Sequence, residues 1–276
     1  MISQREIKNK IRTVRTIEQI CRAMKTVASI RLRRAEERLE RARRYNERLG
    51  ELARRVASMT QAHPFLQERP VERTVMVVVT SDRGLCGGYN ANAMRRALAE
   101  GTPADTAAVA VGRRGQGQLA RHGYEIVESM VPLGGEPEAQ SIWGLADRLG
   151  AMYAEGKMDR LVLVYTRFLR GTRSKVTAET VLPVKSEVGA LEEGIFEPAP
   201  EEILRGLMER YLRAQVLGAV MQASASEHAQ RVAAMTAASD NAEEMIGDLT
   251  LQYNKARQAS ITKELTEIVG AAEATA

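Results

Sequence analysis

Residues 2–61 contain no proline and one glycine, Gly50. Small and apolar side chains return through them on a seven-residue repeat: Ala28, Leu32, Ala35, Leu39, Ala42, Leu49, Ala53 and Val56. Asn46 is the one interruption, and Ile7, Ile11, Val14 and Ile17 begin a similar stripe earlier. The repeat predicts a single helix of roughly 55 residues, ~80 Å long at about 1.5 Å per residue. So narrow an apolar seam is not stable on a lone helix in water, so it calls for a second helix. The breakers Pro64 and Pro70 in "AHPFLQERP" end the run.

The other end of the chain offers the partner. After "EPAPEEILRG", no proline follows Pro200. Pro200 suits a first helical turn, and Glu201 and Glu202 suit the positive end of the helix dipole. The helical reading runs to about Ala272, with Ala242, Ile246, Leu249, Tyr253, Ala256 and Ser260 on heptad spacing. Two seams without any other partner in the chain predict an antiparallel pair, and alanines on the seam permit close approach. Residues 1–57 hold 17 Lys+Arg and 7 Asp+Glu, a balance of +10; residues 201–276 hold 7 and 11, a balance of −4. Opposite charge favours the pairing, although exposed ion pairs contribute only ~0.2–1 kcal/mol each.

The second helix outruns the first by ~13 residues, or about 20 Å. In that overhang Ile261, Leu265 and Ile268 form one stripe, with Val269 beside it. A bare apolar tip implies that another chain surrounds it.

Between the helices the period changes. "TVMVVVT" (74–80) reads as a buried β-branched strand; strands at 108–112, 124–131 and 160–168 follow, with helices near 90–100, 115–122 and 138–154. "SKVTAETVLPV" adds an edge strand, with Pro183 near its end. The expected fold class is α/β: a long antiparallel coiled coil of the two terminal helices plus a small Rossmann-like domain with a mostly parallel sheet. The expected division is 1–61, an N-terminal coiled-coil helix; 62–200, a globular domain; and 201–276, a C-terminal coiled-coil helix with a protruding tip. Aromatic residues are only 4% of the chain, which agrees with a helix-rich composition. The charged N-terminus argues against a secretory signal, and no stretch of ~20 apolar residues suggests a membrane span.

Three strings carry a resemblance: "REIKNKIRTVRTIEQICRAMKTVASIRLRRAEERLERARRY", "SDRGLCGGYN" and "SEHAQRVAAMTAASDNAEEMIGDLTLQYNKARQASITKELTEIVGAAEA". Together they resemble the gamma subunit of the F-type ATP synthase, in order and over nearly the whole chain. The resemblance implies a non-catalytic rotor shaft, one copy per complex. It turns inside a ring of alternating alpha and beta subunits and is attached below to the epsilon subunit and the membrane c-subunit ring. It also implies a peripheral place on the cytoplasmic face of a bacterial membrane, no direct membrane insertion, no cofactor and no nucleic-acid partner. By resemblance, Arg257, Gln258, Thr262 and Glu264 meet a catch loop on beta; at ~100° per residue they lie within an arc of about 160°. Met24 and Lys25 match the N-terminal helix near that contact. Arg33 and Arg34 are expected to meet an acidic lever loop on beta, and Arg83 and Cys86 lie in the "RGLCGG" segment near its foot. Ile261, Leu265, Ile268 and Val269 fall in the bearing around the tip. The sequence departs from the family at Arg31, where Lys is usual, and at Ile30, where a small residue is. It also lacks the cysteine-bearing insertion of chloroplast relatives, and Cys21 and Cys86 lie far from where that insertion would be.

Two other readings compete. "DRGLCGGYNANAMRR" and "GRRGQGQLARHG" suggest a nucleotide-binding α/β enzyme with helical arms, but neither completes a phosphate-loop fingerprint. A basic first helix suggests a nucleic-acid binder, but stacking aromatics are almost absent there. His63, His122 and His228 read as isolated surface or helix-end residues, with no metal assigned. Cys86 reads as a small packing residue.

Overall fold

The computed structural model describes residues 4–57, 63–134, 137–185 and 200–274. In chain order the elements are α1 (Gln4–Ala57), a 3-10 turn (Pro64–Leu66), β1 (Thr74–Val79), α2 (Tyr89–Leu98), β2 (Thr106–Val111) and α3 (Arg113–Arg121). Then come β3 (Ile126–Met130), α4 (Ala139–Ala154), β4 (Arg160–Arg170), β5 (Arg173–Leu182) and α5 (Pro200–Ala274). Every element expected from sequence is present, with its ends shifted by a few residues. The expected continuation of the first helix to residue 61 lies outside the described residues. The chain divides into two compact units, Met1–Val27 with Val232–Ala276, and Ala28–Arg231.

In the first unit α1 and α5 run antiparallel. Gln4 Nε2 donates to the Ala256 carbonyl at 3.2 Å, and Arg22 pairs with Glu243. The protected residues of α5 here include Ala242, Ile246, Leu249, Tyr253, Ala256 and Ser260, the seam expected from their spacing. On α1 they include Gln4, Ile7, Ile11, Val14, Glu18 and Cys21. Ile17 is a correction: it is 49% exposed, while Glu18 is 7% exposed, ion-paired with Arg22 and 3.5 Å from the Ser239 hydroxyl. A heptad seam steps by alternate threes and fours. After 11 and 14 the next seam position is therefore 18, whatever residue stands there.

In the second unit the same two helices are again antiparallel, and Gly218 explains the heptad break. A Cβ there would lie 3.3 Å from Asn46 Nδ2, so the polar side chain of α1 lies where α5 presents none.

The sheet order is β3-β2-β1-β4-β5, parallel except for the antiparallel β4–β5 pair. All six residues of β1 are buried, because both faces of the sheet are covered. One face carries Val75, Val77, Val79, Leu161 and Leu163 against α4, α5 and the end of α1. The other carries Met76, Val78, Val162 and Val164 against Met94 of α2 and Leu119 of α3. Each fully buried Val or Leu contributes about 1.5–3 kcal/mol. α4 approaches its neighbours closely at Gly150, where a Cβ would lie 2.9 Å from the Phe65 ring and 3.1 Å from Leu212.

Candidate functional site

An open α/β sheet of this order reverses between β1 and β4, and ligands of such folds lie beyond the strand ends at that reversal. Here the chain's own α5 fills the place. Ser226 Oγ donates to the Thr166 carbonyl at 2.9 Å, in β4 just past the last residue that pairs with β1. Arg231 donates to the Gly84 carbonyl at 3.2 Å, in the loop after β1, and pairs with Glu227 at 2.7 Å. The start of α3, the other natural phosphate seat, is closed from within. The amides of Arg113, Arg114 and Gly115 donate to Asp82 Oδ1 (3.1 Å), the Ser81 carbonyl (3.0 Å) and Thr80 Oγ1 (2.8 Å). Gly112, at φ +92, lies so near β1 that a Cβ would stand 2.2 Å from the Thr80 carbonyl oxygen. These glycines serve backbone packing, and the nucleotide-site reading loses its cleft.

The 81–90 loop is built around Ser81. Its hydroxyl donates to the Arg83 carbonyl at 2.5 Å, and Asn90 Nδ2 donates to it at 2.8 Å. Cys86 Sγ lies 3.4 Å from Asn90 Nδ2 and is 1% exposed, and burial pushes its thiol pKa up. Cys86 therefore sets the loop from inside, while Arg83 and Leu85 face outward. Leu85 is 60% exposed and held at φ 62, a conformation unusual for a bulky residue. Spacing gave no sign of Leu85; a branched side chain between glycines in "GLCGG" was the only hint.

Against this loop lie Glu227, His228 and Arg231. His228 is a correction to the surface reading: it is 4% exposed, with Nδ1 3.3 Å from Arg231. Burial first, then Arg231 and Arg31, lower its pKa to about 4, and burial raises that of Glu227. The other two histidines match expectation. His63 caps the 3-10 turn, accepting from the Phe65 amide at 3.2 Å, and His122 caps α3.

Of the family-matched residues, Met24, Lys25, Arg257, Gln258, Thr262 and Glu264 belong to the first unit, and Arg33, Arg34, Arg83 and Cys86 to the second. Met24 and Lys25 are half-buried, and the four on the upper helix are exposed. The upper polar side chains are held locally: Thr262 Oγ1 donates to the Gln258 carbonyl at 3.0 Å and Ser260 to Glu264 at 3.2 Å. Arg33 pairs with Glu37 at 3.4 Å. The register separates two groups expected to lie together. Arg22 pairs with Glu243, so Met24 lies level with about residue 241, roughly 24 Å along the axis from Arg257. Beyond Ser260 no described α1 residue lies opposite α5, because Gln4 already meets Ala256. Ile261, Leu265, Ile268 and Val269 are 49%, 58%, 65% and 56% exposed.

The sequence matches the family model described as ATP synthase over residues 3–275. It is 42% identical over 280 residues to the ATP synthase gamma chain of Desulfitobacterium hafniense, covering 99% of both chains. The chain belongs to the ATP synthase gamma-chain family. The gamma chain of Moorella thermoacetica is equally similar, at 42% over 282 residues and 99% of both. Among solved structures, a chain of the Euglena gracilis mitochondrial ATP synthase superposes with a TM-score of 0.74 at 19% identity, over 99% of this chain and 94% of that one. A chain of the Tetrahymena thermophila central stalk and c-ring gives 0.63 at 22%, over 80% and 99%. As a gamma chain it is a non-catalytic part of a rotary ATP synthase, and its work is mechanical coupling. Among the described residues no helix is long and apolar enough to cross a membrane.

Proposed function

We propose that this gamma chain is the central rotor shaft of an F-type ATP synthase. It couples the flow of an ion, taken as a proton, to synthesis and hydrolysis at catalytic sites on beta. Its partners are the alpha and beta ring, epsilon and the membrane c-subunit ring, with one gamma copy per complex on the cytoplasmic face of the membrane. Residues 1–61, 62–200 and 201–276 serve as N-terminal coiled-coil helix, globular foot and C-terminal coiled-coil helix. Arg257, Gln258, Thr262 and Glu264 engage the catch loop of beta. Met24 and Lys25 act at a lower level of the rod, and Arg33 and Arg34 meet the lever loop. The 81–90 segment presents Arg83 and Leu85 beneath it, braced by Cys86. Ile261, Leu265, Ile268 and Val269 turn in the bearing.

The observation that carries this reading is the bare end of α5. Four large apolar side chains stand 49–65% exposed where α1 no longer covers them. An exposed apolar stripe of this kind is covered in the working assembly.

A bead attached at the exposed Gly171 turn, on gamma in a complex immobilised through beta, tests the proposal. Stepwise one-way turning on ATP is expected. A complex that hydrolyses ATP while the bead only jitters would show that gamma is not the rotor.

A further inference from the structure

Within the second unit β4 outruns β1. Their pairing ends at Val164, while β4 continues beside β5 to Arg170, which lies opposite Arg173 across the turn. α5 reaches this hairpin with two side chains one turn apart. Ser226, fully buried, donates its hydroxyl to the Thr166 carbonyl at 2.9 Å. Half-buried Gln230 donates Nε2 to the Thr172 carbonyl at 3.3 Å, in the turn itself, and to Ser174 Oγ at 3.1 Å. The next residue, Arg231, holds the Gly84 carbonyl in the loop after β1.

At ~100° per residue, Ser226 and Gln230 point within about 40° of each other, and Arg231 points about 100° away from Gln230. A helix held in two directions resists rolling about its own axis as well as lifting off the sheet. All three anchors end on main-chain carbonyls. Thr166 gives its carbonyl, while its own buried hydroxyl has no hydrogen-bond partner. A carbonyl of the main chain does not turn away through a rotamer change as a side-chain acceptor does. Arg231 is the last residue of the second unit, so the three anchors stand where α5 leaves it.

We propose that Gln230 is a positioning residue for the mechanical coupling of this chain. With Ser226 and Arg231 it clamps α5 between the β4–β5 hairpin and the 81–90 loop, and the clamp passes turning force between the helix and the sheet. A helix twisted about its axis pulls only on what its side chains hold. Without Gln230, Ser226 alone of these anchors holds the hairpin, at Thr166, and α5 turns further before the sheet follows. The proposal rests on the rotor reading.

A bead on Ala120→Cys, exposed on α3 while both native cysteines are buried, reads the clamp in a complex immobilised through beta. Gln230→Ala, compatible with helix, should widen the bead's angular variance in the pauses by about 1.3- to 1.5-fold, the upper figure being the loss of one of three similar anchors in parallel. It should also slow the turning of a large bead, with unloaded ATP hydrolysis and the circular dichroism unchanged. Gln222→Ala, the same change earlier on α5, should match the wild type. Unchanged variance in Gln230→Ala, equal widening in Gln222→Ala, or an equal loss of loaded turning and unloaded hydrolysis would overturn the proposal. A wild-type bead that hydrolysis does not turn would instead overturn the rotor reading, and the clamp with it.

Discussion

Arg231 of α5 donates to the backbone carbonyl of Gly84 at 3.2 Å. One guanidinium thus fastens the long helix to the loop that leaves the first strand, while its other edge pairs with the nearly buried Glu227 at 2.7 Å. Charges so enclosed depend on one another. Replacing Arg231 by Leu leaves Glu227 unpaired and should destabilise the chain by about 3–5 kcal/mol. Adding Glu227→Leu to that variant removes the stranded charge, and most of the loss should return. Urea unfolding of the wild type, the single variant and the double variant measures both steps. A double variant as weak as the single would mean that the Gly84 tether, not the ion pair, carries the stability.

Acid should weaken the same region. The folded pKa of His228 is lowered to about 4 from an ordinary value of 6.5. Between those values the unfolded chain binds more protons, so stability falls as pH drops from about 6.5 toward 4 and levels off below. The full effect is about 3 kcal/mol. Glu227 works against it in the lower part of the window: its raised folded pKa lets the native state take up a proton earlier. Unfolding midpoints at pH 7 and pH 4.5, compared with those of His228→Gln, isolate the imidazole. The variant should show a flatter profile.

Two glycines flanking the start of α3 should respond in opposite directions. At Gly112 a Cβ meets the Thr80 carbonyl oxygen at 2.2 Å and the backbone is at φ +92, so Gly112→Ala should cost several kcal/mol, about 3 or more. Gly117 lies within α3 with nothing inside 4 Å of where a Cβ would stand, so Gly117→Ala should stabilise by about 0.5–1 kcal/mol. Chemical denaturation of both variants reads the contrast.

At the upper end of α5, Arg257 and Gln258 are exposed and belong to neither seam nor core. Replacing either with Leu should leave assembly intact and lower ATP turnover of the complex by about tenfold, equivalent to ~1.4 kcal/mol of transition-state free energy. Gel filtration and a coupled ATPase assay separate the two effects. Normal turnover in an intact complex would remove both residues from the coupling contact.

The sequence by itself determined the elements and the pairing surface. Residues 242, 246, 249, 253, 256 and 260 line the seam as their spacing requires, because a helix buried on one side repeats its protected positions every three or four residues. β1 was legible for a related reason: a run of valines bounded by turns suits a strand covered on both faces. The tertiary structure alone decided that Glu18, not Ile17, enters the seam, since register belongs to the pair of helices and not to the hydropathy of one residue. It alone decided the fate of Glu227, His228 and Arg231. There α5 is enclosed by the sheet ends and the 81–90 loop as well as by α1, and a helix buried on most sides has no one-sided period to read. Contacts between residues 147 positions apart, such as Arg231 with Gly84, leave no trace in local spacing, because the chain between them sets the distance only after it has folded.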